Sequence, residues 1–238
     1  MKYPRPYPQL QLPPKIAFVA NYSLVLAFAV LFGTQVYAQD DERLLYEKNM
    51  QVAIDLMGKA TEIKQLEQAI SFFETTHEEQ PQEWLPPYYT AYCYLTMTFM
   101  EQNTAIKDTY LDLAQENLHK AETLDPLNNE IKILQAYIYQ KRVEVSPQTR
   151  LEEYGTLAVL TLEEAEKNAP NNPRIYFLRA QNLFFAPEQN GGGLDRACPE
   201  IRKAAEKYAQ FVPQNPLMPK WGAGLTDYMF FVCQEQGK

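Results

Sequence analysis

The sequence predicts an all-α solenoid of about four helix hairpins closed by a C-terminal capping helix, and three observations carry that prediction. Pro81, Pro126, Pro170 and Pro213 recur 45, 44 and 43 residues apart. Ten residues after each proline stands an alanine, namely Ala91, Ala136, Ala180 and Ala223, so the repeat has an internal register as well as a period. Between the prolines, apolar residues fall three and four apart, the spacing of one helix face. A period of about 20 to 50 residues with helical patterning describes units that bury a continuous core only by stacking on their neighbours.

The elements follow in order. Asp40, Asp41 and Glu42 suit a helix N-terminus, where carboxylates complement exposed amides and the dipole, and a first helix runs to about Gly58. Ile63, Leu66, Ala69, Ile70 and Phe73 form the stripe of a second helix over 61–78, which Pro81 ends. A third opens at 83–87 and carries Tyr88, Ala91, Tyr92, Leu95 and Phe99 before a polar break at 101–103. A fourth spans 107–124, with Leu111, Ala114, Leu118 and Ala121 on one side. Turn chemistry at 125–129 introduces a helix over 131–145, Pro147 breaks it, and 151–167 supplies its partner. The turn at 169–173 leads to a helix over 174–186, Gly191, Gly192 and Gly193 interrupt, and 195–212 completes that hairpin. A last helix over 220–234 has no downstream mate, the expected position of a cap.

These residues resemble the tetratricopeptide repeat family. Its second helix carries a small residue, then a large apolar one four later, alanine three later and proline five later. Here that reads Ala114, Leu118, Ala121, Pro126 and again Ala158, Leu162, Ala165, Pro170. The small residue and aromatic of its first helix are matched by Ala91 with Tyr94 and Ala136 with Tyr139. The outer copies depart: Ala69, Phe73, Thr76, Pro81 lacks the second alanine, and Ile201, Ala205, Tyr208, Pro213 keeps only the proline. The period also exceeds the family's 34 residues by about ten, and Heat-type repeats of about 40 to 47 residues are the structural alternative. The resemblance implies a right-handed superhelix over 39–238 whose first helices line a concave face.

Residues 1–38 are read as a secretory signal. Lys2, Arg5 and Lys15 precede an apolar run whose unbroken core, 24–32, is short for a membrane span, and Val36-Tyr37-Ala38 forms the cleavage site. The mature chain is then exported, periplasmic or secreted, with no membrane insertion after cleavage. It retains 19 Lys and Arg against 30 Asp and Glu, a net charge of −11, which argues against nucleic acid as a partner. His77 and His119 lie 42 residues apart without a thiol or carboxylate cluster of ligand spacing, so neither a metal site nor a cofactor is expected.

The candidate partner-binding residues come from the register. Tyr88, Ile133, Phe177 and Lys220 are equivalent, as are Tyr92, Tyr137, Gln181 and Gly224, with Gln140, Lys141, Phe184 and Phe185 one turn later. Tyr88, Tyr92, Tyr137, Lys141, Arg174 and Gln181 are thus assigned to the groove, where tyrosine offers a rigid apolar face with one polar end. The alternative is that these tyrosines fill the core of long helices. Cys198 and Cys233 flank the last turn at similar distances, so an antiparallel pair would bring them within disulfide reach, leaving Cys93 packed and free. The glycine run follows a helix, not a strand, and lacks the lysine and hydroxyl of a phosphate loop, which makes it a connection. No nucleophile, base and orienting group assemble from these motifs, so an enzyme is not expected. The expected function is a non-enzymatic exported scaffold binding a peptide or protein in its concave groove. The alternative is a small-ligand-binding component of an envelope transport or assembly complex, which requires a closed pocket.

Overall fold

The computed structural model describes residues 41–235, so the expected signal segment lies outside the described residues. The chain divides into two compact units, Met1–Leu45 and Tyr46–Lys238. Of the first, the described residues 41–45 are helical and exposed. Everything that follows concerns the second.

This unit is all-helical among its described residues: α1 (46–59), α2 (Ile63–Glu79), α3 (Leu85–Met100), α4 (Thr104–Leu124), α5 (Asn129–Val145), a short α6 (Pro147–Arg150), α7 (Thr156–Asn168), α8 (Pro173–Phe185), α9 (Leu194–Gln210) and α10 (Ala223–Glu235). The starts are written in the sequence. Asn103, Asn128 and Asn172 each accept hydrogen bonds from amides in the first turn of α4, α5 and α8, which satisfies donors with no intrahelical partner. Asn103 thereby starts α4 at Thr104, three residues before the expected boundary. At Pro147 the chain does not simply break. It forms α6 and then a π-helical turn over Leu151–Gly155 before α7 resumes, which absorbs extra residues between two helices that must still pack in register.

Consecutive helices are neighbours: α2 on α3, α3 on α4, α4 on α5, α5 on α7, α8 on α9 and α9 on α10. Ala114, Leu118 and Ala121 of α4, and Ala158, Leu162 and Ala165 of α7, are buried together with Ala91, Ala136 and Ala180. A methyl at these positions lets helix axes approach at the short end of about 8 to 10 Å. Much of the added length per repeat lies in the helices themselves, since α3 has 16 residues and α4 has 21.

Two glycines shape the C-terminal third. A Cβ at Gly192 would lie 1.9 Å from the Ala186 carbonyl oxygen, so only glycine closes the loop between α8 and α9. Gly222, at φ 96°, lets the chain pass 2.2 Å from the Tyr208 hydroxyl as measured to an added Cβ, immediately before α10. Cys198 of α9 and Cys233 of α10 are joined by a disulfide with Cα atoms 5.7 Å apart, and Cys93 is free and buried.

Candidate functional site

The expected groove divides into two parts along the length of α3, α5 and α8. Near the helix N-termini it is filled by the chain itself. The segment 211–222, between α9 and α10, lies against these helices and inserts Trp221. The indole stacks on Tyr92 with centroids 5.4 Å apart and on Tyr137 at 5.6 Å, and meets Phe177 edge-on at 6.0 Å. Its N–H donates to the Tyr88 hydroxyl at 2.9 Å. Tyr89 donates to the Leu217 carbonyl at 2.6 Å and Tyr208 to that of Trp221 at 2.8 Å.

Beneath this segment Arg174 is buried against Glu130. Its Nε donates to Glu130 Oε2 at 2.8 Å, Nη2 donates to Glu130 Oε1, and Nη1 donates to the Pro219 carbonyl at 2.8 Å. Asn172 adds a donor to Glu130 Oε1 at 2.7 Å. Burial opposes the guanidinium charge, the Glu130 carboxylate outweighs it, and the Arg174 pKa stays above its usual value. Burial raises the pKa of Tyr88, Tyr92 and Tyr137, so these phenols remain neutral hydrogen-bonding groups.

Of the six residues assigned to a partner, Tyr88, Tyr92, Tyr137 and Arg174 are therefore engaged by the chain's own segment. Gln181 is buried one turn on, donating to the Tyr137 hydroxyl at 3.2 Å. The physical reason is the Pro-rich turn after α9: it is long enough to fold back over α3, α5 and α8, where a tryptophan gains apolar burial against their aromatic rings. Trp221 is the residue that sequence reasoning missed. It stands one position after Lys220 in the register, and its signal is a large aromatic with a donor N–H in a turn where no helix stripe uses it.

Toward the C-terminal halves of the same helices the face is open. Fifteen residues after the four prolines stand Thr96, Lys141, Phe185 and Tyr228, one from each of α3, α5, α8 and α10. Phe185 is 59% exposed and Tyr228 56%, and Phe99, one turn beyond Thr96, is 48% exposed. Phe184 bridges Phe185 and Tyr228, with centroids 5.0 and 6.5 Å away. Phe99 approaches Tyr137 at 6.2 Å. Lys141, the remaining predicted residue, sits on this half: its ammonium lies 3.9 Å from the Phe99 ring centroid and 2.6 Å from Glu144 Oε2. Burial pulls the Lys141 pKa below the usual lysine value, with Glu144 opposing that shift. Thr98, Phe99, Lys107, Lys141, Glu144 and Val145 enclose a cavity of about 230 Å³ at this edge.

A larger opening of about 900 Å³ lies at the opposite helix ends, walled by amides such as Asn128, Asn171, Asn172 and Asn215. No group of three His, Cys, Asp or Glu is arranged to hold a metal ion among the described residues. No described helix is long and apolar enough to cross a membrane.

No family model matches the chain, and no curated protein does. A solved structure does. The chain is similar to the HusA haemophore from Porphyromonas gingivalis, at 29% identity over 81% of this chain and 94% of that one, with a TM-score of 0.70. The likeness spans most of both chains and accords with the all-helical architecture.

Proposed function

We propose that this protein is an exported, non-enzymatic carrier that binds a flat apolar ligand of the haem class on the open half of its concave face. The observation that carries the reading is the set of exposed rings, Phe99 on α3, Phe185 on α8 and Tyr228 on α10, with the buried cation Lys141 of α5 resting against Phe99. Solvated aromatic surface in a concavity is costly unless it is covered, and a planar macrocycle covers several rings at once. Likeness to a haemophore supports the same ligand class.

The residues present fit haem as cargo in a particular way. His77 is on α2 and His119 on α4, neither of which carries the exposed rings of α3, α8 and α10, so ring contact and charge would hold the ligand without an imidazole. The 230 Å³ cavity is smaller than the roughly 300 Å³ at which sites for drug-sized ligands begin, so the macrocycle would lie across the face and send only an edge inward. Filling of the lower groove by 211–222 favours this small-ligand reading over the peptide-binding scaffold, whose groove that segment occupies. Transfer of the cargo to an envelope complex is the role such a carrier would serve.

The hairpin stack is tetratricopeptide-like in this proposal, supported by the burial of Ala114, Leu118, Ala121, Ala158, Leu162 and Ala165 at the family's packing positions. The decisive experiment is titration of purified residues 39–238 with haemin, followed by Soret absorbance and quenching of tryptophan fluorescence. Saturable one-to-one binding that weakens severalfold in Phe185→Ala and Tyr228→Ala supports the reading. A linear, unsaturable Soret response overturns it.

A further inference from the structure

The cavity at the edge of the aromatic face contains more positive charge than its own carboxylate neutralises. Two ammonium groups line it, Lys141 from α5 and Lys107 from α4, against one glutamate, Glu144. Lys141 is the more deeply held: its side chain is 6% exposed, while that of Glu144 is 57% exposed and reaches it from three residues along the same helix. Among the described residues Lys107 makes no ion pair within 4 Å, and its proximity adds to the burial that lowers the tendency of Lys141 to hold a proton. The Glu101 carboxylate, which also feels the Lys107 charge, is committed elsewhere: its Oε1 accepts from the amides of Gln102 and Asn103 at 2.7 and 2.8 Å. The remaining walls, Thr98, Phe99 and Val145, contribute one hydroxyl, and that hydroxyl donates to the Leu95 carbonyl at 2.6 Å.

A buried lysine whose one carboxylate partner among the described residues is an exposed surface glutamate is poorly compensated, since an ion removed from water needs close, well-oriented partners. Here one such partner is exposed and a second cation competes for it. A second carboxylate entering from the face would pair with both ammonium groups, and Phe99, over which Lys141 rests, both lines the cavity and is itself one of the exposed rings.

We infer that Lys141 and Lys107 form a carboxylate-binding subsite that receives an acidic edge group of the ligand whose apolar plane lies on Phe99, Phe185 and Tyr228. This deepens the proposed carrier function and rests on it for the identity of the ligand. The subsite itself requires only a flat apolar body with a carboxylate at its rim. Its chemistry gives a specificity rule: the acid is selected over its ester or alcohol.

The test compares each acid with a neutral counterpart in the same proteins. Haemin and its dimethyl ester, and 1-pyrenebutyrate and 1-pyrenebutanol, are titrated into residues 39–238 as wild type, Lys141→Met, Lys107→Gln and Glu144→Gln, with melting curves confirming that each variant folds. The wild type should bind each acid about tenfold or more tightly than its neutral counterpart, the effect of a charge-assisted hydrogen bond in a partly desolvated site. That preference should fall severalfold in Lys141→Met and Lys107→Gln, with binding of the ester and alcohol unchanged. Glu144→Gln, which removes the competing carboxylate, should tighten binding of the acids. Equal binding of haemin and its dimethyl ester to wild type would overturn the subsite and leave the carrier function standing. If neither haem compound binds, the haem reading fails, and the pyrene pair decides the subsite alone: equal affinities, or a preference surviving in both lysine variants, refute it.

Discussion

Trp221 donates its indole N–H to the Tyr88 hydroxyl at 2.9 Å across 133 residues of chain, fastening the turn after α9 to the helix that opens the first complete repeat. The same indole contacts Tyr92, Tyr137 and Phe177, so one side chain from the last turn unites three repeats. Trp221→Ala should destabilise the unit by about 3 to 5 kcal/mol, the usual cost of deleting a large packed aromatic. Trp221→Phe retains a stacking ring but removes the donor to Tyr88, and should cost about 1 to 3 kcal/mol. Urea denaturation of both variants checks the order. Equal losses would mean that the ring retained in Trp221→Phe contributes nothing once the hydrogen bond is gone.

The Arg174–Glu130 pair should behave as a unit. Both side chains are buried, and each single truncation leaves a charge without its partner, for which about 3 to 5 kcal/mol is expected in Arg174→Met or Glu130→Gln. The double variant should lose much less than the sum, because no buried charge then remains uncompensated. A double-mutant cycle in urea measures this coupling; strict additivity would show that the two charges are solvated independently.

The Cys198–Cys233 disulfide spans 35 residues and ties α10 to α9. In the chain-entropy account a loop of this length adds about 3 to 4 kcal/mol by restricting the unfolded chain. The Cys198→Ser, Cys233→Ser variant should therefore melt lower by several degrees, and dithiothreitol should lower the wild type to the same value while leaving the variant unchanged. Because α10 carries Tyr228, ring contact with a ligand should weaken alongside stability.

Much of the scaffold was legible because it rests on local chemistry. The prolines that end helices, the asparagines that cap them and the alanines that allow close approach act within a turn or two of their own position, so the sequence displays them directly. The spacing of Cys198 and Cys233 around one turn was legible for the same reason. The occupation of the groove was not. Whether Tyr88 and Tyr92 face solvent depends on where 211–222 folds, a long-range choice made by Trp221, Arg174 and Pro219 together, and no periodicity encodes it. The open half was partly legible: Lys141 and Phe185 were reached by counting within the repeat, and extending the count to Tyr228 completes the row. Lys107 belongs to α4, outside the first helices of the repeats, and only packing brings it to the same cavity.

Lys141 separates stability from binding. Its ammonium is buried with one exposed carboxylate partner among the described residues, and burial holds its pKa below the unfolded value of about 10.4. For a lysine this sign means that the folded state disfavours the proton. The resulting penalty is full at pH values below the folded pKa and disappears as pH rises past the unfolded one. Lys141→Met keeps the length of the side chain over Phe99, removes the charge and leaves Glu144 free in solvent. It should therefore stabilise the unit by about 1 kcal/mol at neutral pH, as apolar replacement of a poorly compensated buried ion often does. The gain should shrink as pH approaches 10.4, which urea denaturation of both proteins between pH 7 and 10.5 measures. A loss of stability at neutral pH would instead mean that the Lys141–Glu144 pair is net favourable to folding. If stability rises while preference for a carboxylate ligand falls, this lysine is retained for binding at the expense of the fold, the pattern expected where a site requires a group that packing alone would reject.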